Sequence, residues 1–444
     1  MLDDQTLAAR RARAAEALRV REDLVLIGAG IPIPVPGGMD RLHPFRPHPH
    51  YIWLAGHGHA GGAIAYDPAD NTWTDFVPPT TSAGRIWEGA ADAPGEPLEG
   101  LRPWLAERAG RDAQTVAVLG CPIEGIDGDP DRAAELEQRL LDARRAKDEP
   151  ELDAIRRACA ATALGFEAAR DAIALPHATE RLIEIELAAA CFRAGGTAMG
   201  YDTIVGVGGN AAVLHFSPGD RPVAPGDFVL IDAGCEVPID PHDPTGAAYT
   251  ADVSRTFVKG EPTTRHRELH SIVLEAERFG VSRCVPGQEW RELHLQVAVK
   301  LAEGLVELGI LTGRPAGLVE RDAHALFFPH GLGHLVGLGV RDASGYLPGR
   351  ERSERFGLAA LRMDLPLEAG FVTTVEPGLY FIPPLLRDPE IRGRYADAVN
   401  WDVVEPWIGI GGVRLEDDVL VTDDGPVNLT ESIPIALEGC TVPA

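Results

Sequence analysis

The chain has 444 residues, 45% of them hydrophobic and 24% charged, which suits two or three folded domains and excludes a disordered, collagen-like or small disulfide-stapled protein. Acids outnumber bases 67 to 41, a formal net charge of −26, so nucleic acid and anionic membrane are poor partners. No run of about 18 apolar residues occurs and Met1–Glu22 lacks the apolar centre of a signal peptide. The six cysteines (Cys121, Cys159, Cys191, Cys235, Cys284 and Cys440) form no CxxC pair, which reads as reduced thiols in a cytoplasmic protein.

Leu7, Arg11, Ala14 and Leu18 recur at helical spacing, so residues 1–22 are predicted helical. An apolar strand, Leu24–Ile27, runs into a stretch rich in Gly and Pro, Gly28 to Gly38. Tyr51–Leu54 and Gly62–Tyr66 read as two further strands, 98–109 as a helix and Thr115–Leu119 as a strand. This alternation predicts a small N-terminal α/β domain over 1–145. A charged helix, Asp131–Asp148, leads into another, Glu151–Ala174. Beyond it, helices 179–195 and 263–282 surround short strands at 203–207, 228–232, 251–258, 371–376 and 413–421. That order predicts an α+β domain over 146–444 built on antiparallel strands.

Several motifs fail on inspection. Val25–Gly30 opens like a dinucleotide fingerprint, but Ile33 stands where the third glycine belongs, and Pro32 and Pro34 block the helix that would hold a pyrophosphate. Gly206–Gly209 fails likewise. His57 and His59 would share one face of a strand. No acid or cysteine with ligand spacing lies near them in sequence, so they read as a polar wall. His266 and His270 fall i,i+4 without the glutamate of HExxH and read as a solvated helix face. No nucleophile elbow, P-loop or cysteine-protease signature is present.

Acids and histidines in four other segments are not explained by solvation. Asp232 ends the apolar strand Phe228–Ile231, where an unpaired carboxylate is costly. Asp252 opens the next strand, and a hairpin would set it beside Asp232. His330 and His334 flank glycines in HGLGH, which lets backbone approach a ligand closely. Glu376 and Glu416 lie at or beside apolar strands. Two Asp, two Glu and one His form a hard, oxygen-rich donor set suited to a pair of Mn2+, Co2+ or Zn2+ ions.

In order, IDAG, ADVSRTF, HGLGH, TVEPG and GVRLED are similar to the motifs of the pita-bread metallopeptidases: methionine aminopeptidase, aminopeptidase P, prolidase and creatinase. The resemblance covers most of 150–432. It implies a C-terminal pita-bread catalytic domain behind a creatinase-like N-terminal domain, and a homodimer. The implied metal ligands are Asp232, Asp252, His334, Glu376 and Glu416, holding two divalent ions, Mn2+ first. Asp252 and Glu416 would bridge them. Glu376 would be the general base, His215 would steady the scissile carbonyl, and Arg414 would be a further catalytic residue.

Within the family the chain resembles prolidase. Leu361-Arg362 matches an arginine that holds the carboxylate of a C-terminal proline, a task suited to a planar guanidinium. The expected activity is therefore hydrolysis of small Xaa-Pro dipeptides by a metal-bridging hydroxide. The alternatives are an aminopeptidase P acting on longer Xaa-Pro peptides, or a pita-bread binding protein of low or no activity. Two departures stand out. Twenty positions separate Asp232 from Asp252 where about eleven are usual, and the insertion holds Asp240, His242 and Asp243, read as solvated loop residues. Arg341 replaces the histidine usual seven residues after the HGLGH ligand. It can donate to substrate but cannot accept a proton.

Overall fold

The computed structural model describes residues 3–87, 89–90, 92, 94–109, 115–243, 246–437 and 439–441. The chain divides into two compact units, Met1–Arg144 with Pro238–Ala247, and Arg145–Val237 with Ala248–Ala444.

The first unit is built on a five-stranded mixed sheet. One inner strand, Leu24–Gly28, is wholly buried. It runs parallel to Val116–Gly120 and antiparallel to Ala63–Asp67. The predicted strand Tyr51–Leu54 is instead part of a helix, Pro49–Ala55, started by Pro at its first turn and ended by Gly56 at φ 77°. Every residue from His50 to Ala55 is buried, and a helix buried all round shows no 3.6-residue pattern to read. His57 and His59 follow in a turn, not on a strand face, and the carboxylate that pairs with His57 is Asp75, 18 residues away. The tip of the insertion, 238–247, is closed by the Ile239 amide donating to Ala247 O at 2.7 Å and belongs to this unit.

In the second unit, Phe228–Ala233 pairs antiparallel with Val253–Lys259 on one side and Ile204–Val207 on the other. Val372–Val375 pairs with Asp417–Leu420, and Gly378–Tyr380 with Gly412–Arg414. The predicted strand 413–421 is thus broken. The chain changes partner at Leu415–Glu416, opposite the matching break at Glu376–Pro377. Both glutamates sit in these breaks, where the ladder is interrupted and a side chain can leave the sheet. Helices Glu149–Ala174, Glu180–Arg193, Thr264–Ser282 and Trp290–Glu307 surround the strands. The last was not anticipated from sequence, although Trp290, Leu293, Val297 and Leu301 lie at core spacing and are fully buried.

His266 and His270 are not solvated; they are 5% and 3% exposed. His266 occupies the third helical position and its Nδ1 accepts from the Thr263 amide at 3.1 Å, doing the work a glutamate does in a capping box. Its ring packs on Phe228. Gly234, just past Asp232, has a different constraint. A Cβ there would stand 1.7 Å from the carbonyl oxygen of Ala251. Gly234→Ala should therefore push the two strand ends apart and cost about 1–3 kcal/mol of stability, read from urea unfolding.

Candidate metal centre

Asp232 is opposite Ser254 in the strand ladder, so Asp252 emerges beside it. The Tyr201 hydroxyl joins the two, 2.7 Å from Asp232 Oδ1 and 2.5 Å from Asp252 Oδ1. One phenolic proton thus serves two carboxylates. Glu416 is tied to the same strand by its amide, which donates to Ser254 O at 3.1 Å, and by Ser254 Oγ donating to Glu416 Oε2 at 2.7 Å. His334 reaches the cluster from a loop laid on Val372–Val375, with the His334 amide donating to Thr374 Oγ1 at 3.2 Å. Its Nε2 lies 3.5 Å from Asp252 Oδ2 and 3.9 Å from Glu376 Oε1.

The glycines of HGLGH serve this docking. A Cβ on Gly333 would stand 2.2 Å from Thr374 O, and one on Gly331 3.2 Å from Ala360 O. The close approach is therefore of chain to chain, where the sequence reading expected chain to ligand.

All of the site residues singled out from sequence line one cavity of about 420 Å³: Asp232, Asp252, His334, Glu376 and Glu416, with His215, Arg341, Arg362 and Arg414. Asp252, His334 and Glu416 each bring a ligand atom within 4.8 Å of the others, and all three are at most 4% exposed. Burial, then the charge of neighbouring acids, pushes the carboxyls of Asp252 and Glu416 well above the usual range. Burial pushes His334 down to about 3, with Arg341 and Arg362 adding to it, so its ring is neutral and able to donate a lone pair. Hard oxygens that repel one another beside a neutral imidazole fit a divalent cation, which would hold these acids ionised.

Three features escaped the sequence reading. Tyr201 is one. The second is a relay behind the same acids: Arg414 donates from Nη2 to Asp232 Oδ2 at 2.5 Å, from Nε to Ser254 Oγ at 2.8 Å and from Nη1 to Tyr380 Oη at 3.0 Å. Tyr380 Oη in turn lies 2.8 Å from His330 Nε2. The third is Asp418, whose Oδ2 accepts from the Asp252 amide at 3.0 Å. Burial pushes its carboxyl up to about 8. His330 by its place in HGLGH and Arg414 by its place in GVRLED carried a sequence signal, though not the link between them; Tyr201 and Tyr380 have no spacing that marks them.

Residues 153–423 match the model of metallopeptidase family M24. The chain is 31% identical over 422 residues to a probable Xaa-Pro aminopeptidase of Fusarium vanettenii, covering 90% of this chain and 87% of that one. It is 33% identical over 424 residues to Xaa-Pro aminopeptidase 2 of Streptomyces coelicolor, covering 89% and 82%. Among solved structures it is similar to zinc-substituted Escherichia coli aminopeptidase P in complex with product, with a TM-score of 0.76, 25% identity and coverage of 98% and 96%. Proline aminopeptidase P II from Yersinia pestis gives 0.75, 26%, and 98% of both chains. The chain belongs to metallopeptidase family M24 and has its pita-bread fold. It is a hydrolase of the metal-dependent peptidase class, akin to Xaa-Pro aminopeptidases. The narrower expectation of a prolidase finds no support in these relatives. Arg362 had suggested it, but one guanidinium in a cavity does not distinguish a dipeptide's carboxylate from another anion.

Arg414 ties Asp232, Ser254 and Tyr380 together from a buried position. Arg414→Ala leaves a carboxylate and a hydroxyl without their donor and should cost about 3–5 kcal/mol, read as a lowered Tm and urea midpoint.

Proposed function

We propose that this chain is an Xaa-Pro aminopeptidase, releasing the first residue of peptides whose second residue is proline. The observation that carries the reading is the convergence of Asp252, His334 and Glu416 within 4.8 Å, in the cavity that also holds Glu376 and His215. Similarity to Xaa-Pro aminopeptidases over about nine-tenths of the chain supports it. Proline has a fixed φ and no N–H, so the bond before it needs a dedicated site.

Asp232, Asp252, His334, Glu376 and Glu416 would hold two divalent ions, Mn2+ being our first choice. The ions would supply Lewis acidity, lowering the pKa of water and stabilising negative charge on the carbonyl oxygen. Glu376 takes the proton of the attacking water on a carboxylate oxygen as the water oxygen bonds to the scissile carbon. It then gives that proton to the proline nitrogen as the C–N bond breaks. His215, held neutral by burial and by Arg362, Arg341 and Arg414, donates a ring N–H to the oxyanion without adding a net charge. Tyr201 and the Arg414 relay fix the directions of Asp232 and Asp252, so little reorganisation accompanies the reaction.

Ala-Pro-Ala incubated with the Mn2+-loaded protein should yield alanine and Pro-Ala, and excess chelator should stop the release. Glu376→Gln should lower kcat by about 10²–10⁴-fold. Release of proline from Ala-Pro with no cleavage of Ala-Pro-Ala would return the assignment to a dipeptidase. Absence of cleavage of both by folded, metal-loaded protein would refute a peptidase of this specificity.

A further inference from the structure

Two cationic side chains of the cavity make no bond in the reaction steps proposed above. Asp232, Asp252 and Glu416 gather with Tyr201 around the strand ends, and Glu376 faces them. Arg341 and Arg362 line the same cavity, yet among the described residues neither has an ion-pair or hydrogen-bond partner. Two guanidinium groups left facing a cavity without a carboxylate partner are a site for an anion.

Arg341 is exposed, as surface arginines are, but the loop that carries it is firmly held. Its neighbour Asp342 is buried and paired with Lys147, Nζ to Oδ2 at 2.9 Å, with the two side chains 3% and 0% exposed. The same carboxylate oxygen accepts from the Leu338 amide at 3.2 Å. The Asp342 amide donates to Leu335 O at 3.0 Å, and Arg145 Nε donates to Ala343 O at 3.0 Å. The Thr250 amide donates to Gly337 O at 3.0 Å. The backbone of the loop tip is therefore anchored, and Arg341 is carried at the cavity wall from a held loop. An anchored backbone lowers the part of the binding cost that ordering the loop would add. Arg362 is half-buried, and its proton affinity is lowered by burial and then by Arg341, so the two charges feel one another. A bound anion relieves both.

We propose that Arg341, with Arg362 beside it, forms an anion subsite that selects peptides carrying a carboxylate on the leaving side of the scissile bond. The proposal rests on the Xaa-Pro peptidase reading. It follows from the two guanidiniums that line the cavity without an ion-pair partner, to which the carboxylate of a peptide seated with its scissile bond at Glu376 is drawn. The carboxylate is either the C-terminus of a short peptide or the side chain of an acidic residue after proline. Arg341 is the specificity-determining residue of the pair, since it brings a permanent charge to a position where the family resemblance leads one to expect histidine.

The test uses the metal-loaded enzyme and three matched pairs of peptides: Ala-Pro with Ala-Pro-amide, Ala-Pro-Ala with Ala-Pro-Ala-amide, and Ala-Pro-Glu-amide with Ala-Pro-Gln-amide. The readout is the ratio of kcat/KM within each pair. The natural enzyme should favour the carboxylate member of at least one pair by about tenfold, chiefly through KM. The pair that shows it identifies the source of the carboxylate. Arg341→Gln should bring that ratio to within about twofold of unity, and Arg341→Lys should keep part of it. Ratios near unity in all three pairs, or a ratio that survives Arg341→Gln, would overturn the proposal. Calorimetric binding of the product Pro-Ala against Pro-Ala-amide separates the two readings. The same comparison is made for Pro-Glu-amide against Pro-Gln-amide and for proline against prolinamide; a carboxylate preference in any of the three that is lost in Arg341→Gln sustains the subsite even if no peptide is cleaved, and equal binding within all three refutes it.

Discussion

Mutual repulsion among acids gathered at the ends of apolar strands is the constraint on which the second unit depends. Asp232, Asp252, Glu376 and Glu416 line one cavity, and ionised carboxylates taken out of water are unfavourable unless a cation or several donors compensate. The protein supplies part of that compensation itself. Arg414 and Tyr201 hold Asp232, Tyr201 and His334 adjoin Asp252, and Ser254 donates to Glu416. What remains uncompensated is the charge that a divalent cation would carry.

The surrounding structure holds this cluster in place at some local cost. Gly234 and Gly333 allow backbones to approach where a Cβ would collide with a carbonyl oxygen. The break at Glu416 is pinned from behind by Arg255, whose buried guanidinium donates to Glu416 O at 2.7 Å, Asp417 Oδ1 at 2.7 Å and Ile433 O at 3.0 Å. Such a hub fixes the direction in which Glu416 leaves the sheet. Rigidity of the supporting shell matters because misplacement of about 1 Å in a catalytic group costs rate steeply.

The acids of the site were legible in sequence because each stands out against an apolar strand, and a solvated surface does not explain an aspartate ending Phe228–Ile231. The antiparallel pairing that brings Asp252 beside Asp232 could be anticipated from two strands in succession. The relay His330–Tyr380–Arg414 could not, because its members lie on three segments joined only by the fold. The helix Pro49–Ala55 was hidden by complete burial, which erases the amphipathic pattern. His266 and His270 misled for a related reason: at helical spacing a charged-looking face is usually wet, but here one histidine caps its own helix and the other lies in the core. The choice between dipeptide and longer peptide was beyond the motifs, since the four acids and the histidine serve any peptide bond and Arg362 specifies only an anion.

The most direct test of the account is calorimetric titration of the metal-stripped chain with Mn2+, for the natural protein and for Asp252→Asn and Glu416→Gln. The account predicts saturable binding by the natural protein with a matching rise in Tm, and binding weaker by more than about tenfold in each variant. Superimposable titrations for all three proteins, or no binding by the natural one, would contradict it.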